Sequence, residues 1–416
     1  MVRYIFKKKQ LLIIPFISVL SFFIISCNDE PTNMGSSLLL DTIEIKSISS
    51  DSAGLMSSAK SFLYRLENFN VGVMFIGKFN DMKAISMIRF SGFPDSLGNI
   101  GESDIDSVTL TLPVLRYAYG DTSNWNNLSF KVYKIIKYWD NKTNWDSLFP
   151  SGGNNTDYFD NSKVLGSYSG YIDTVKPLTL NLDKQLIIDW FKLSADTLTD
   201  STIWGIAIVP DESSSVIRTF SSQTLTEMRV HPYIRVSYKR TADTLDTLIF
   251  QSAIDASVTN SNPPDENTLT LQGGISSRFK IGFNIDTIPD ESAIHVAELI
   301  LHINRAESMP GNYNIDSTLS ASLFLDSTYT SYFSYYTGGR DSVNKNIFKF
   351  PSITSAVQYW VSHGKKGELV FYAEGLDNEY RELDKLVFHG LNDPEPSKRP
   401  LLRIIYSTRP KFGVKR

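Results

Sequence analysis

Along most of the chain, apolar and polar residues alternate in short runs separated by Asn, Asp, Ser, Gly and Pro. Ile105, Val108, Leu110 and Leu112 form one such run, and Ile294, Val296, Leu299, Leu301 and Ile303 form another. A period of two puts one face of a strand on a core and the other toward solvent. Only two segments carry a helical pattern. They run from Leu182 to Leu193, containing Trp190, and from Ser352 to Ser362, containing Trp360. Trp139, Trp190 and Trp360 sit on core-facing elements and are expected to be structural. The pattern predicts an all-β protein of many short strands with one short helix in each half.

The halves repeat each other. His231-Pro232 through Tyr238 matches Arg399-Pro400 through Tyr406, with Pro, Arg and Tyr at one offset of 168 residues, which Phe220 and Phe388 share. Upstream, the strand of Ile85 to Phe90 matches that of Phe279 to Phe283, at an offset near 190. Copy one therefore carries roughly 25 extra residues between about Tyr117 and Tyr171. The organisation expected is a first module over residues 42–240 and a second over 245–408, joined by Arg240 to Leu245. A tether precedes them over 27–41 and a basic tail follows over 409–416. Each module should bury its own inner faces.

Charge and cysteine usage change the picture at the N-terminus. Arg3, Lys7, Lys8 and Lys9 precede an apolar stretch from Leu11 to Ile25, and Ser26 precedes Cys27, the only cysteine. That is a signal segment over residues 1–26, too short and too interrupted by Pro15 for a spanning helix. Ile24-Ile25-Ser26-Cys27 resembles a bacterial lipobox, which implies a lipidated Cys27 and an anchor made of acyl chains. Asp29 and Glu30 resemble the export signal of surface-exposed lipoproteins in Bacteroidota-type bacteria. The location implied is the outer membrane, lipid-anchored and facing outward. Without the signal segment the net charge falls from −4 to −8. An acidic body offers no electrostatic footprint for nucleic acid.

The landmarks of copy one resemble the DNRLRE-type module of secreted bacterial proteins. They are Gly77, Arg89-Phe90, Pro94, Val108-Thr109-Leu110, Val132-Tyr133, Trp139-Asp140, Thr143-Asn144-Trp145, Trp190 and Ile234-Arg235-Val236. They cover most of residues 70–238, and the Trp139/Trp145 element is the most specific of them. Copy two departs from the pattern: Gly282 stands where copy one has Arg89, and the Thr-x-Trp element is absent. The resemblance implies two tandem jelly-roll-like β-sandwich modules, the second degenerate. It also implies a kinship with carbohydrate-binding modules, some of them associated with alginate-like polysaccharides. The whole chain looks like a class of Bacteroidota-type surface lipoproteins with no assigned function.

The catalytic motifs sought do not occur. There is no phosphate loop and no G-x-S-x-G; Gly166-Ser-Tyr-Ser-Gly170 has Tyr at the centre. His295 and His302, the closest histidine pair in sequence, point to opposite faces of one strand. A structural calcium ion is the one cofactor considered, with Asp157 and Asp160 as its carboxylates. Loop aromatics are the better lead, because a sugar ring stacks its C–H face on an aromatic plane while polar neighbours hold its hydroxyls. Trp125 and Tyr158, in the inserted segment, are the first candidates, with Tyr117, Tyr119, Tyr332 and Tyr335 behind them. Trp145 is expected to be a packing residue. The function expected is non-catalytic binding of a polysaccharide or cell-wall glycan through sandwich loops. The alternative is a structural protein of the envelope that holds protein partners, and a polysaccharide-active enzyme comes third.

Overall fold

The computed structural model describes residues 43–408 except 65–68, 121–126, 151–155, 197–202, 226–230, 242–243, 261–263, 266–267, 275–276, 313–317, 326–328, 330 and 374–380. Cys27, the tether, Trp125 and the basic tail lie outside these residues. One compact unit spans 47–406, and a second comprises the chain ends, 1–46 and 407–416. Of the ends, only 43–46 and 407–408 are described, and they include the termini of two strands.

The fold is all-β. The strands of the first half are β1 (Ile45–Ser49), β2 (Met56–Leu63), β3 (Val73–Phe79), β4 (Met82–Phe90), β5 (Ile105–Leu112), β6 (Val114–Gly120), β7 (Leu128–Lys134), β8 (Gly166–Gly170), β9 (Leu178–Asn181), β10 (Ile206–Pro210), β11 (Val216–Ser221) and β12 (Tyr233–Thr241). A long strand, β13 (Thr244–Thr259), opens the second half. It is followed by β14 (Leu269–Gln272), β15 (Ser277–Asn284), β16 (Ala293–His302), β17 (Thr318–Phe324), β18 (Tyr332–Arg340), β19 (Ile347–Phe350), β20 (Lys366–Ala373), β21 (Lys385–Phe388) and β22 (Leu401–Ser407). Helices are few: α1 (Ser50–Ala53) and α2 (Trp145–Leu148) are single turns, and α3 (Lys184–Ala195) and α4 (Thr354–Ser362) are the two expected from the pattern. Asp183 caps α3 by accepting from the Gln185 N–H at 2.8 Å, which satisfies one of the free donors of the first turn.

Two large antiparallel sheets form a sandwich-like arrangement. One runs β6-β11-β3-β4-β13-β12-β5-β9, with β10, β7 and β8 attached through β4. The other includes the path β22-β16-β19-β18-β17-β20-β15-β14-β21, with β2 on β15. Each sheet folds over its own apolar core. The first core holds Phe90, Leu110, Phe130, Trp190 and Ile234; the second holds Phe279, Leu299, Phe348, Trp360 and Ile404. Trp139, Trp190 and Trp360 are fully buried, as expected.

Several strands depart from half-burial. β4 is buried on both faces: Ile88 and Phe90 enter the main core, while Ile85 and Met87 enter a smaller one on the opposite side. The inserted segment of copy one builds that smaller core with Trp139, Leu148, Phe149 and Phe159. β3, β6 and β11 are also covered on both faces, because Leu383 and Met309 of the second sandwich pack against Phe75, Tyr117 and Ile217. Close approach imposes one glycine here. Gly77 has φ +138°, and a Cβ there would meet the Val216 carbonyl oxygen. Such a φ suits only glycine.

The strand pairing crosses the boundaries expected at 42–240 and 245–408. β13 pairs along its first half with β12 and along its second half with β4, both in the first sandwich. β2, from the start of the chain, pairs with β15 in the second, from Met56 opposite Phe283 to Leu63 opposite Ser277. Since β4 and β15 are the matching strands of the two copies, each copy supplies a strand from near its start to the other sandwich. The Arg240–Leu245 segment, expected as a join between modules, closes a hairpin inside the first sandwich, with Thr241 opposite Thr244. A polar Thr- and Asp-rich stretch suits a hairpin and a linker equally, so composition alone does not separate them. The crossings between sandwiches instead fall between β2 and β3 and between β13 and β14.

Candidate functional site

The outer face of the first sandwich holds the candidate site. After β7 the chain continues over the small core, where Ile135 donates to Gly205 O at 3.0 Å and Ile136 to Tyr158 O at 2.9 Å. Trp139 goes in, fully buried, and its indole N–H donates to Trp204 O at 2.8 Å. Tyr138 goes out and is 56% exposed. Its ring meets Trp204 edge-on at 5.3 Å. Arg89 completes the cluster. Its guanidinium lies 5.9 Å from the Tyr138 ring, 5.2 Å from Trp139 and 5.1 Å from Trp204, and donates to Trp139 O at 3.1 Å. Burial lowers the Arg89 pKa from its ordinary value, with Tyr138 acting the other way. Cation–π contact of this kind fixes ring planes relative to one another.

Tyr158 belongs to the same face. It packs on the small core, its N–H donates to Thr156 Oγ1 at 3.2 Å, and Lys137 Nζ sits 4.6 Å from its ring. Trp145 opens α2 and lies against Phe149 at 4.5 Å, a packing role. Asn144, in the Thr-x-Trp element, caps that turn by accepting from Ser147 N at 3.1 Å.

Two expected stacking residues are corrected by burial. Tyr117 and Tyr119 are each only 4% exposed, because the second sandwich covers the β6 face. The Tyr117 hydroxyl donates to Asp384 and accepts from Leu383 N at 2.8 Å. Burial and Asp384 push its pKa well up. Asn312 docks on the same strand: its N–H donates to Ala118 O at 3.0 Å and its Oδ1 accepts from Ala118 N at 2.8 Å. This imitates a strand and covers the β6 edge. Neither tyrosine offers a ring face to a sugar.

Tyr332 and Tyr335 are exposed, at 60% and 45%, on β18 of the second sandwich. The Tyr335 hydroxyl bonds Ser320 Oγ at 2.9 Å, and Tyr332 meets Phe324 edge-on at 6.4 Å. They lie on a different sandwich from Tyr138 and Tyr158. Asp157 and Asp160 are engaged separately. Asp157 pairs with Lys137 at 2.8 Å, and that hydrogen bond lowers its pKa. Asp160 accepts from Ser162 N and Oγ, which lowers its pKa too. Among the described residues no group of three or more His, Cys, Asp or Glu could hold a metal. Among them, also, no helix is long and apolar enough to cross a membrane.

No hydrolytic triad is formed by Ser222, Asp255 and His231. The Ser222 hydroxyl donates directly to the Asp255 carboxylate at 2.7 Å, and His231 Nδ1 faces the Ser222 backbone oxygen at 3.2 Å instead of the hydroxyl. The Gly166–Gly170 segment is simply β8, paired to β7.

Tyr138 escaped sequence reasoning. No local period marked it: Ile136, Lys137 and Tyr138 are exposed in a row before the buried Trp139. Arg89 was visible only as a strand landmark, because its meeting with Tyr138 and Trp204 joins segments far apart in the chain.

No protein-family model matches the chain, and no curated protein matches it. Among solved structures, the infectious bursal disease virus VP2 subviral particle is 10% identical over 89% of this chain and 78% of that chain, with a TM-score of 0.10. The structure of the Gx strain of the same virus is 10% identical over 89% and 79%, also at 0.10. At that score the likeness carries no argument.

Proposed function

We propose that this protein is a non-catalytic binding protein of the cell envelope that recognises a polysaccharide or cell-wall glycan, held at the outer membrane through a lipid on Cys27. The observation that carries the reading is the exposed Tyr138 ring, braced by Trp204 and Arg89. An aromatic plane already fixed in place loses little entropy when a sugar stacks on it. The resemblance of copy one to carbohydrate-binding modules supports the same assignment. The test separates binding from folding. Tyr138→Ala should weaken retention on immobilised glycan with little change in melting temperature, since exposed substitutions usually stay within about 0.5 kcal/mol. Trp190→Ala should cost about 3–5 kcal/mol of stability. A large stability loss at Tyr138 with retention unchanged contradicts the reading.

A second reading, an envelope protein that holds protein partners, has its own support. Among the described residues, Thr244–Gln251 of β13 pairs with β12 alone, and Leu245 and Ile249 are exposed on it. An unpaired apolar edge accepts a strand from a partner.

A further inference from the structure

A second cleft lies where the two sandwiches meet, away from Tyr138. It encloses about 650 Å³, within the range of small-molecule sites. One wall comes from the β3–β4 turn and β6 of the first sandwich. The other comes from β14, β21 and the loop after β16 of the second. Part of the crossing between β13 and β14, including Asn260, Pro264 and Asp265, borders it.

Its chemistry is selective. Phe79 and Tyr119 meet edge-to-face at 5.9 Å on one wall. Tyr119 hides its ring, yet its residue lines the cleft. The Tyr119 hydroxyl accepts from Gln272 Nε2 at 3.3 Å, and the same amide nitrogen donates to Leu383 O at 3.1 Å. Among the described residues the Tyr119 hydroxyl proton has no acceptor, and Gln272 Oε1 has no donor. Burial raises the Tyr119 pKa, so the proton stays in place at neutral pH. A free donor and a free acceptor therefore sit side by side on fixed groups. That pair matches a hydroxyl, which both donates and accepts. The charges choose among hydroxylated ligands. Asp81, Asp265 and Glu307 line the cleft against Lys385, so the lining is net acidic and repels an anion. The Asp81 carboxylate has no partner among the described residues, and a free carboxylate accepts readily from ligand hydroxyls.

We propose that this cleft is a second binding site, for an uncharged hydroxylated ring such as a neutral unit of a glycan, and that the bound ring bridges the two sandwiches. The proposal rests on the glycan reading but uses none of its residues. Tyr119 and Gln272 read one hydroxyl, and Asp81 takes others.

The test is calorimetric titration of the mature chain with neutral hexasaccharides of α-1,4-, β-1,4- and β-1,3-linked glucose, beside a carboxylated hexasaccharide of matched linkage. Tyr119→Phe deletes only the hydroxyl, and Gln272→Leu only the amide. Each should weaken neutral-glycan binding about three- to tenfold, the loss expected for one hydrogen bond; Tyr119→Phe should hold the melting temperature, and Gln272→Leu, which also removes the donor to Leu383 O, is compared at equal folded fraction. The carboxylated sugar should bind more weakly at this site, and Asp81→Asn should narrow that gap. If binding is abolished by Tyr138→Ala and untouched by Tyr119→Phe and Gln272→Leu, the cleft proposal is overturned while the glycan reading stands. If no hexasaccharide binds the unmodified chain, both fall.

Discussion

Cutting the chain after residue 240 removes β13 and leaves the first sandwich incomplete. Two core strands, β4 and β12, then lose a neighbour each. The fragment lacks the buried Phe250 and Val258 and the partly buried Leu248 and Ile254, so the core positions they fill are left empty. At about 1.5–3 kcal/mol for each fully buried side chain, the loss is roughly 5–8 kcal/mol. That is comparable to the whole stability of a typical domain, about 5–15 kcal/mol. The fragment's own β2 cannot repair the damage. Matching β15 to β4 would put Lys60 where Ala256 is buried and Ala59 where Asp255 accepts from Ser222 and Gln223. Residues 42–240 should therefore be molten or aggregated by circular dichroism and urea titration. Residues 69–259 keep β13 and should unfold cooperatively. Both fragments expose the same β6-β11-β3 face, but 42–240 also carries β1 and β2 without the β15 partner of β2, so residues 69–240 are the control whose difference from 69–259 reports β13 alone. Cooperative unfolding of 42–240 as a monomer would refute the strand exchange.

Other substitutions test separate parts of the account. Gly77→Ala should cost more than about 1 kcal/mol, since φ is positive and the Val216 carbonyl blocks a Cβ; an unchanged urea midpoint would contradict that geometry. Burial raises the Asp255 pKa, so the folded chain holds that proton more tightly than the unfolded chain. Its contribution to stability is then present below about pH 4 and is lost as pH rises through the folded pKa. Relative to Asp255→Asn, the unmodified chain should lose stability as pH rises above about 4, and parallel urea midpoints through that rise would contradict the burial argument. Glu212 behaves in the opposite sense: Lys78 and Lys83 hold its pKa down at about 2. Its contribution is present above about pH 4 and lost as pH falls toward 2, and because the side chain is exposed, Glu212→Gln should cost at most about 1 kcal/mol at pH 7.

Much of the fold was legible from local pattern. Trp139, Trp190 and Trp360 stood on apolar elements and are buried, and the ends of the two long helices lie within two residues of those expected. Partner identity was not legible. An alternating strand fits any edge of matching pleat, so nothing in Met56–Leu63 says that it joins β15 and not β4. The burial of Tyr117 and Tyr119 was hidden for a related reason. What covers them, Asn312, Leu383 and Asp384, lies about 190 to 270 residues further along. Loop-like polarity around Tyr119 signalled exposure of the ring, whereas the structure leaves the residue 4% exposed at the edge of the cleft. The outer-face site was legible in its location, the inserted segment of copy one, but not in Tyr138, its most exposed ring.

The most direct measurement of the central claim is a glycan array probed with residues 28–416, with Tyr138→Ala printed in parallel. The account predicts a restricted set of polysaccharide ligands for the unmodified chain and a clear loss of signal for the variant at equal folded fraction. An array that stays blank for the unmodified, folded chain contradicts it and leaves the exposed β13 edge as the better-supported surface.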